Sequence, residues 1–226
     1  MKNLFQLRVL TAAVCLAATG ATMAAPELMR ARSAADPSIE TMAPSPMAKE
    51  VLFGHTGQWL AGVVSTDWDS QYDEMDIRIA DDFTVPEGAT WKITEIHAYG
   101  GMGSAGGELA SANLTFFKDQ NGKPGKVVAE LLAAPLAKNV EGTFSVKLSS
   151  PVKLKAGHYW LSVQGKTKEP GTVWMWNASK GFSGNRAVIQ NPGDGYGLGC
   201  TDWTPIKDCV GQMPGDQDFE LIGVSK

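Results

Sequence analysis

The chain has 226 residues, of which 43% are hydrophobic, and its formal net charge is −4. A length in this range suits one domain with appended segments, and a mildly acidic chain without basic clusters argues against nucleic acid and anionic membrane surfaces as partners. The 25 Gly and 12 Pro favour many turns over long helices.

The first residues have the features of a secretory signal peptide. Lys2 and Arg8 give a positive start, an apolar run follows over residues 9–18, and small residues lead to a cleavage site after Ala24. This run is too short for a membrane-spanning helix, which needs about 20 apolar residues. We therefore predict a signal peptide over 1–24 and an exported protein, periplasmic or extracellular, with no membrane span after cleavage.

Residues 25–50 are rich in Ala, Pro, Ser and Met and contain no aromatic residue, which is typical of a disordered lead-in to a domain over 51–226. Two cysteines remain in that domain, Cys200 and Cys209. In an exported protein such a pair most simply forms a disulfide. A pair of metal ligands is the alternative, but no His or further Cys lies nearby to complete a tetrahedral site.

The domain is a succession of short apolar runs separated by turn residues. Its organising stretch is 80–100, in which Ile93 and Ile96 fall out of strict alternation, which indicates a bulge or a strand that is apolar on both faces. A hairpin is predicted over 113–132, because Asn-Gly and Pro-Gly separate two apolar runs. Short strands without a convincing helix predict an all-β fold, an antiparallel β-sandwich or jelly roll with one disulfide-closed loop.

An ordered set of motifs in this domain resembles a group of bacterial secreted jelly-roll domains. The motifs are ADDF at 80–83, GHYWLSV at 157–163, WMW at 174–176 and DFELIG at 218–223. The resemblance extends from about Trp68 to Val224. It implies a jelly-roll fold, and it implies no catalytic residues for this chain.

Three tryptophans in two successive predicted strands give the best lead to a ligand. If the strands at 158–164 and 172–177 pair as a hairpin, Trp160, Trp174 and Trp176 share a face with His158. Exposed aromatic rings stack against the C–H face of sugar rings, so this arrangement indicates carbohydrate binding. The alternative is that the rings fill the core, as tryptophan usually does. Two residues in loop-like segments would extend the surface, Trp203 and Tyr196.

Aspartates concentrate in segments that suit a cation. Asp69 and Asp73 belong to an acidic segment over 67–76, and Asp81 with Asp82 follows it. Near the end of the chain, Asp216 and Asp218 would join them if the first and last strands lie side by side. Calcium prefers several oxygen ligands of this kind and is the one cofactor that the sequence suggests, whereas a solvated acidic surface explains the same residues without an ion.

No catalytic signature stands out in this sequence. The three histidines are scattered without ligand spacing, and no pair of carboxylates is singled out. We therefore expect a non-catalytic exported β-sandwich that binds a polysaccharide or cell-surface glycan. Two alternatives stay open, a secreted hydrolase whose carboxylates the sequence does not identify, and a structural or adhesive protein with a protein partner at the cell surface.

Overall fold

The computed structural model describes residues 48–211 and 215–226. The predicted signal peptide over 1–24 and nearly all of the lead-in over 25–50 lie outside these residues. Within them the chain folds into two sheets built almost entirely from antiparallel pairs, so the predicted all-β class is confirmed. No helix in the described ranges is long and apolar enough to cross a membrane.

The larger sheet is built on two long central strands, each of which crosses most of the domain. Around them lie shorter strands from both ends of the chain. The strands of this sheet are β1 (Glu50–His55), β3 (Thr66–Asp67), β4 (Arg78–Ala98), β6 (Leu109–Asp119), β7 (Pro124–Ala134), β8 (Lys138–Val140), β9 (Thr143–Thr167), β11 (Val188–Gln190), β12 (Thr204–Pro205) and β14 (Phe219–Ser225). Its main order is β1-β14-β4-β9-β6-β7, and the predicted organising stretch is the central strand β4.

The smaller sheet packs against one face of the larger one. Its strands are β2 (Trp59–Val64), β5 (Gly100–Met102), β10 (Trp174–Ser179) and β13 (Asp216–Gln217). β10 pairs with β2 on one side and with β5 and β13 on the other. Apolar side chains from both sheets meet between them. The largest of those that are completely buried are Phe83, Phe116, Phe144, Trp174, Trp176 and Phe219.

A bulge in β4 explains the broken alternation of its isoleucines. The register of β4 against β9 shifts between Ile93 and Glu95, and its register against β14 shifts at Gly223. Two residues three positions apart would normally face opposite sides of a strand, but the extra residue lets Ile93 and Ile96 both reach the core. Gly223 permits the close approach, because a Cβ there would lie 2.1 Å from the Lys92 carbonyl oxygen.

The hairpin predicted over 113–132 is present as β6 and β7. Asp119 pairs with Pro124, and Asn121 and Gly122 at the turn both have positive φ, as a tight hairpin turn requires. The hairpin considered between 158–164 and 172–177 does not form. β9 stays in the larger sheet, whereas the chain crosses at 168–173 and β10 joins the smaller sheet. The turn residues Pro170-Gly171 reverse the chain without determining which sheet the next strand joins.

We call residues 180–211, which follow β10, the covering segment, because Trp203 in this segment packs over part of the outer face of the larger sheet. Within it, β11 pairs with β4 and with β12, and the short helix α1 (Ile206–Val210) follows. The predicted disulfide between Cys200 and Cys209 closes this covering segment, with the two Cα atoms 6.2 Å apart. A second, smaller apolar cluster forms beneath it around Trp160 and Phe117.

Candidate functional site

The three tryptophans predicted as an exposed row are all completely buried. Trp174 and Trp176 face the core between the two sheets, where their indole N–H groups donate to the carbonyl oxygens of Gly142 (2.7 Å) and Asp218 (2.8 Å). Trp160 lies on the opposite face of the larger sheet, under the covering segment, and donates to Asp119 Oδ1 at 2.8 Å. The prediction of one exposed aromatic surface is therefore wrong, because its two strands belong to different sheets.

The other residues assigned to that surface are also separated. Trp203 is half-buried, with its ring centroid 5.8 Å from that of Phe117. Tyr196 is half-buried elsewhere on the covering segment, where burial raises the pKa of its phenol. His158 is partly exposed and is held by Asp82, with 2.6 Å between Nε2 and Oδ2.

Four of the aspartates considered as calcium ligands do come together. β14 pairs with β4 only over residues 91–98, but the residues that precede β14 lie beside the first part of β4, where Asp81 and Asp82 are found. The main-chain N–H of Gln217 donates to Asp81 Oδ2 at 2.6 Å. We call Asp81, Asp82, Asp216 and Asp218 the aspartate cluster.

Asp69 and Asp73 lie in another part of the fold. Asp69 precedes a 3₁₀ turn (Ser70–Met75), and Asp73 is exposed within it. The described hydrogen bonds tie this turn to the covering segment through the Glu74 carbonyl, which accepts from Gly195 N and Asn191 Nδ2. These two aspartates therefore have no described contact with the cluster.

The aspartate cluster is strongly buried and has unusual electrostatics. Burial raises the pKa of Asp81 well above its usual range, and the neighbouring Asp216 carboxylate raises it further. Burial likewise raises the pKa of Asp216, against the opposing effect of a hydrogen bond from Ser183 N. Among residues 48–211 and 215–226, no three His, Cys, Asp or Glu side chains form a ready-made metal site.

A separate groove opens where the chain passes between the two sheets. It has a volume of about 490 Å³ and lies between Tyr99 and the β8–β9 hairpin. The hairpin contributes Lys138, Thr143 and Ser145 to the lining, and β4 contributes His97. Aromatic, hydroxyl and charged groups therefore meet in one groove.

A hydrogen-bonded network fixes one wall of this groove. His97 lies between two carboxylates, with Nδ1 3.2 Å from Glu220 Oε2 and Nε2 3.1 Å from Glu95 Oε1. The Tyr99 hydroxyl donates to the same Glu220 oxygen at 2.9 Å. Burial, and then this bond to Glu220, raise the pKa of Tyr99 to about 12. Tyr99 is therefore neutral over the ordinary pH range.

The opposite wall is fixed by the tip of the β8–β9 hairpin. Gly142 at this tip has a positive φ, and a Cβ there would lie 2.7 Å from the Cα of Gly101. The Gly142 carbonyl accepts the indole N–H of Trp174, and Thr143 Oγ1 donates to the Gly100 carbonyl at 3.2 Å. The buried Trp174 thus positions one edge of the groove without lining it.

No local pattern in the sequence indicates this groove. His97 and Glu220 are 123 positions apart and become neighbours only because β4 pairs with β14. Lys138 and Ser145 meet through the β8–β9 pairing, which the sequence analysis did not identify. A covarying pair of positions would be the signal that reveals such contacts.

No protein family model matches the chain, and no match was found among the curated proteins. One solved structure that it resembles contains the cysteine protease and lectin-like domains of Cwp84, a surface layer associated protein of Clostridium difficile. The TM-score is 0.42 and the identity 12%, and the match covers 66% of this chain and 32% of that one. The chain thus spans about a third of that protein.

Proposed function

We propose that this is an exported, non-catalytic β-sandwich protein that binds a carbohydrate in the groove beside Tyr99. The observation that carries the proposal is the composition of the groove, in which an aromatic ring faces a mixed set of donors and acceptors. A volume of about 490 Å³ is enough for a small ligand or for part of a polymer chain. The Cys200–Cys209 disulfide supports export, because such bonds persist in oxidising compartments.

Sugar hydroxyls both donate and accept hydrogen bonds, so a sugar-binding groove needs both kinds of group. Lys138 supplies a donor, and Thr143 and Ser145 have hydroxyl groups that can donate or accept. Glu141, which also lines the groove, supplies a carboxylate acceptor. Carboxylates make stronger hydrogen bonds than neutral oxygens, so Glu141 would contribute to orienting the sugar.

Tyr99 supplies the apolar part of the contact. It is half-buried, so part of its ring remains available to the apolar C–H face of a sugar. Its hydroxyl is already bound to Glu220, which holds the ring at a fixed angle. A ring fixed before binding loses little conformational freedom when the ligand arrives.

Retention on polysaccharides tests this proposal. The purified protein and its Tyr99→Ala and Glu141→Gln variants are applied to a panel of insoluble polysaccharides and, by affinity electrophoresis, to soluble ones. Tyr72→Ala is the matched control, because Tyr72 is an exposed tyrosine on the distant 3₁₀ turn. We expect retention by the wild type and by Tyr72→Ala, and weaker retention by both groove variants.

Two results would reject carbohydrate binding in the groove. One is no retention of the folded wild type on any polysaccharide, which would leave a protein partner as the leading alternative. The other is undiminished retention of both groove variants. Release of reducing ends from a bound polysaccharide would instead show that the protein is a hydrolase.

A further inference from the structure

Three members of the aspartate cluster share an unusual feature. In each carboxylate, one oxygen accepts a hydrogen bond and the other has no hydrogen-bond partner. Asp82 Oδ2 accepts bonds from His158 Nε2, Asn185 N and Asn185 Nδ2, at 2.6, 2.7 and 2.9 Å. Asp216 Oδ2 accepts from Ser183 N at 2.5 Å. The Oδ1 atoms of Asp82, Asp216 and Asp218 are buried and have no hydrogen-bond partner.

Buried oxygens of this kind need an explanation, because buried polar atoms in folded proteins are nearly always paired. Asp82 and Asp216 are each only 1% exposed, so their Oδ1 atoms are shielded from solvent. The neighbouring basic side chains leave them unpaired. The Arg186 guanidinium, whose charge lowers the pKa of Asp216, lies over the Phe182 ring at 4.1 Å from its centroid. His158 is already bonded to Asp82 through Oδ2, and His55 Nε2 is itself buried without a partner.

Asp82 and Asp216 approach the same short loop from two different segments of the chain. Asp82 lies on β4 and binds Asn185, whereas Asp216 lies on β13 and binds Ser183. Because Ser183 and Asn185 are two positions apart, the carboxylates that they bind are neighbours, and the charge of Asp82 raises the pKa of Asp216. Asp81, adjacent to Asp82, is bonded to the main chain of Gln217, adjacent to Asp216.

From this geometry we propose that the aspartate cluster binds one divalent cation of the calcium type between Asp82 and Asp216. Such a cation would supply the partner that the two Oδ1 atoms lack. Calcium accepts six to eight oxygen ligands and takes main-chain and amide oxygens together with carboxylates. The described ranges contain no group of three His, Cys, Asp or Glu side chains that could hold a metal ion. A calcium ion bound by two carboxylates and by main-chain or amide oxygens does not need such a group.

The amide of Gln217 is a candidate for one further ligand. This side chain is completely buried, and both its Oε1 and Nε2 lack partners. Its main-chain N–H binds Asp81, the residue next to Asp82, so the Gln217 side chain begins beside the cluster. The cation would then connect β4, β13 and the loop at Ser183–Asn185, three parts of the fold that are far apart in sequence.

Terbium luminescence and thermal unfolding test the proposed site directly. Terbium(III) replaces calcium at oxygen sites and is excited by nearby tryptophans, and Trp160 lies next to His158 in the structure. The purified protein is stripped with a chelator and titrated with terbium, then with calcium as competitor. We expect saturable luminescence that calcium reverses, and an unfolding temperature that rises with calcium concentration.

Substitutions then locate the cation. Asp82→Asn and Asp216→Asn keep the side-chain shape and remove one charged ligand, so each should weaken calcium binding at least tenfold. Asp73→Asn is the matched control, since it removes an equal charge from an exposed position. Near-UV circular dichroism shows which variants are folded.

Three results would overturn the proposal. The first is that the folded wild type binds neither terbium nor calcium at millimolar concentration. The second is that a folded Asp82→Asn or Asp216→Asn variant binds calcium as tightly as the wild type. If neither variant folds, anomalous scattering from terbium in wild-type crystals decides the question. A terbium peak that contacts Asp82 and Asp216 supports the site, and a peak elsewhere overturns it.

Discussion

Replacing Trp174 by alanine should destabilise the fold severely. The side chain is completely buried between the sheets, with its ring centroid 5.2 Å from that of Phe144 and 6.2 Å from that of Trp176. Removing a large buried aromatic side chain typically costs about 3–5 kcal/mol of unfolding free energy. The substitution also leaves the Gly142 carbonyl without its 2.7 Å indole donor, which adds about 1–3 kcal/mol if the oxygen stays buried.

These magnitudes approach the whole stability of a typical domain, which is about 5–15 kcal/mol. Trp176→Ala should behave similarly, because Trp176 is equally buried and donates to the Asp218 carbonyl. The two losses will not simply add, since the rings are neighbours in one core. A Trp174→Ala/Trp176→Ala double variant should therefore be largely unfolded at room temperature, and its failure to bind a ligand would say nothing about the ligand site.

Urea unfolding followed by circular dichroism measures these losses. Trp174→Phe separates the two contributions, because it keeps most of the apolar volume and removes the indole donor. Trp59→Ala is the matched control, since Trp59 is 62% exposed and its loss should change stability by only about 0.5 kcal/mol. A Trp174→Ala protein that unfolds within about 1 kcal/mol of the wild type would refute the assignment of this ring to the core.

Three further predictions follow from the structure. Replacing both cysteines by serine should lower the unfolding free energy by about 2–3 kcal/mol, measured by urea unfolding, because Cys200 and Cys209 close a short loop; an unchanged midpoint would contradict this. Tyr99 has a pKa of about 12 in the folded protein, against 10.0 for a free phenol, so its contribution to stability is complete below pH 10 and is lost as the pH rises towards 12. In urea unfolding, Tyr99→Phe should therefore lose less stability than the wild type between pH 10 and pH 12. Equal losses in the two proteins would contradict this assignment. Gly184→Ala should lower the thermal unfolding temperature more than Gly171→Ala. Both glycines have positive φ, but only a Cβ at position 184 would meet a neighbour, Asp82 Oδ2 at 2.6 Å. Equal decreases in unfolding temperature would show that this contact is unimportant.

The sequence predicted the strand content and the local turns because those depend on neighbouring residues. The Asn121-Gly122 turn and the bulge between Ile93 and Ile96 are examples, since each is encoded within a few positions. Sheet assignment failed at Pro170-Gly171, where the same turn residues serve a hairpin or a crossing between sheets. Whether β10 pairs with β9 or with β2 depends on contacts about a hundred residues apart, which local patterns do not encode.

The candidate site was only partly predictable for the same reason. The acidic residues at the end of the chain were expected beside Asp81 and Asp82 if the first and last strands are neighbours, and β1 does pair with β14. The contact itself is made by the residues before β14, through the bond from Gln217 N to Asp81 Oδ2. Two members of the acidic segment 67–76 have contacts that the sequence does not indicate, since Asp67 binds Lys166 and Asp76 accepts the Trp68 N–H. Tryptophan content was misleading, since an indole N–H finds carbonyl partners as readily in a core as at a surface.

The groove and the aspartate cluster both arise where the chain changes sheets. β4 ends at Ala98 in the larger sheet and β5 begins at Gly100 in the smaller one, so Tyr99 is the crossing residue. Asp218 makes the reverse crossing, between β13 and β14, and its carbonyl accepts the Tyr99 N–H at 3.1 Å.

This double crossing holds the Tyr99 main chain from both sides. Its carbonyl accepts the Asn177 N–H at 2.9 Å while its N–H is bound to Asp218. Tyr99→Ala should therefore remove the ring from the groove without moving the backbone beneath it. Asp218→Asn leaves both main-chain bonds in place. A substitution in the aspartate cluster should therefore have little effect on carbohydrate binding in the groove. The carbohydrate and cation experiments thus report on separate sites.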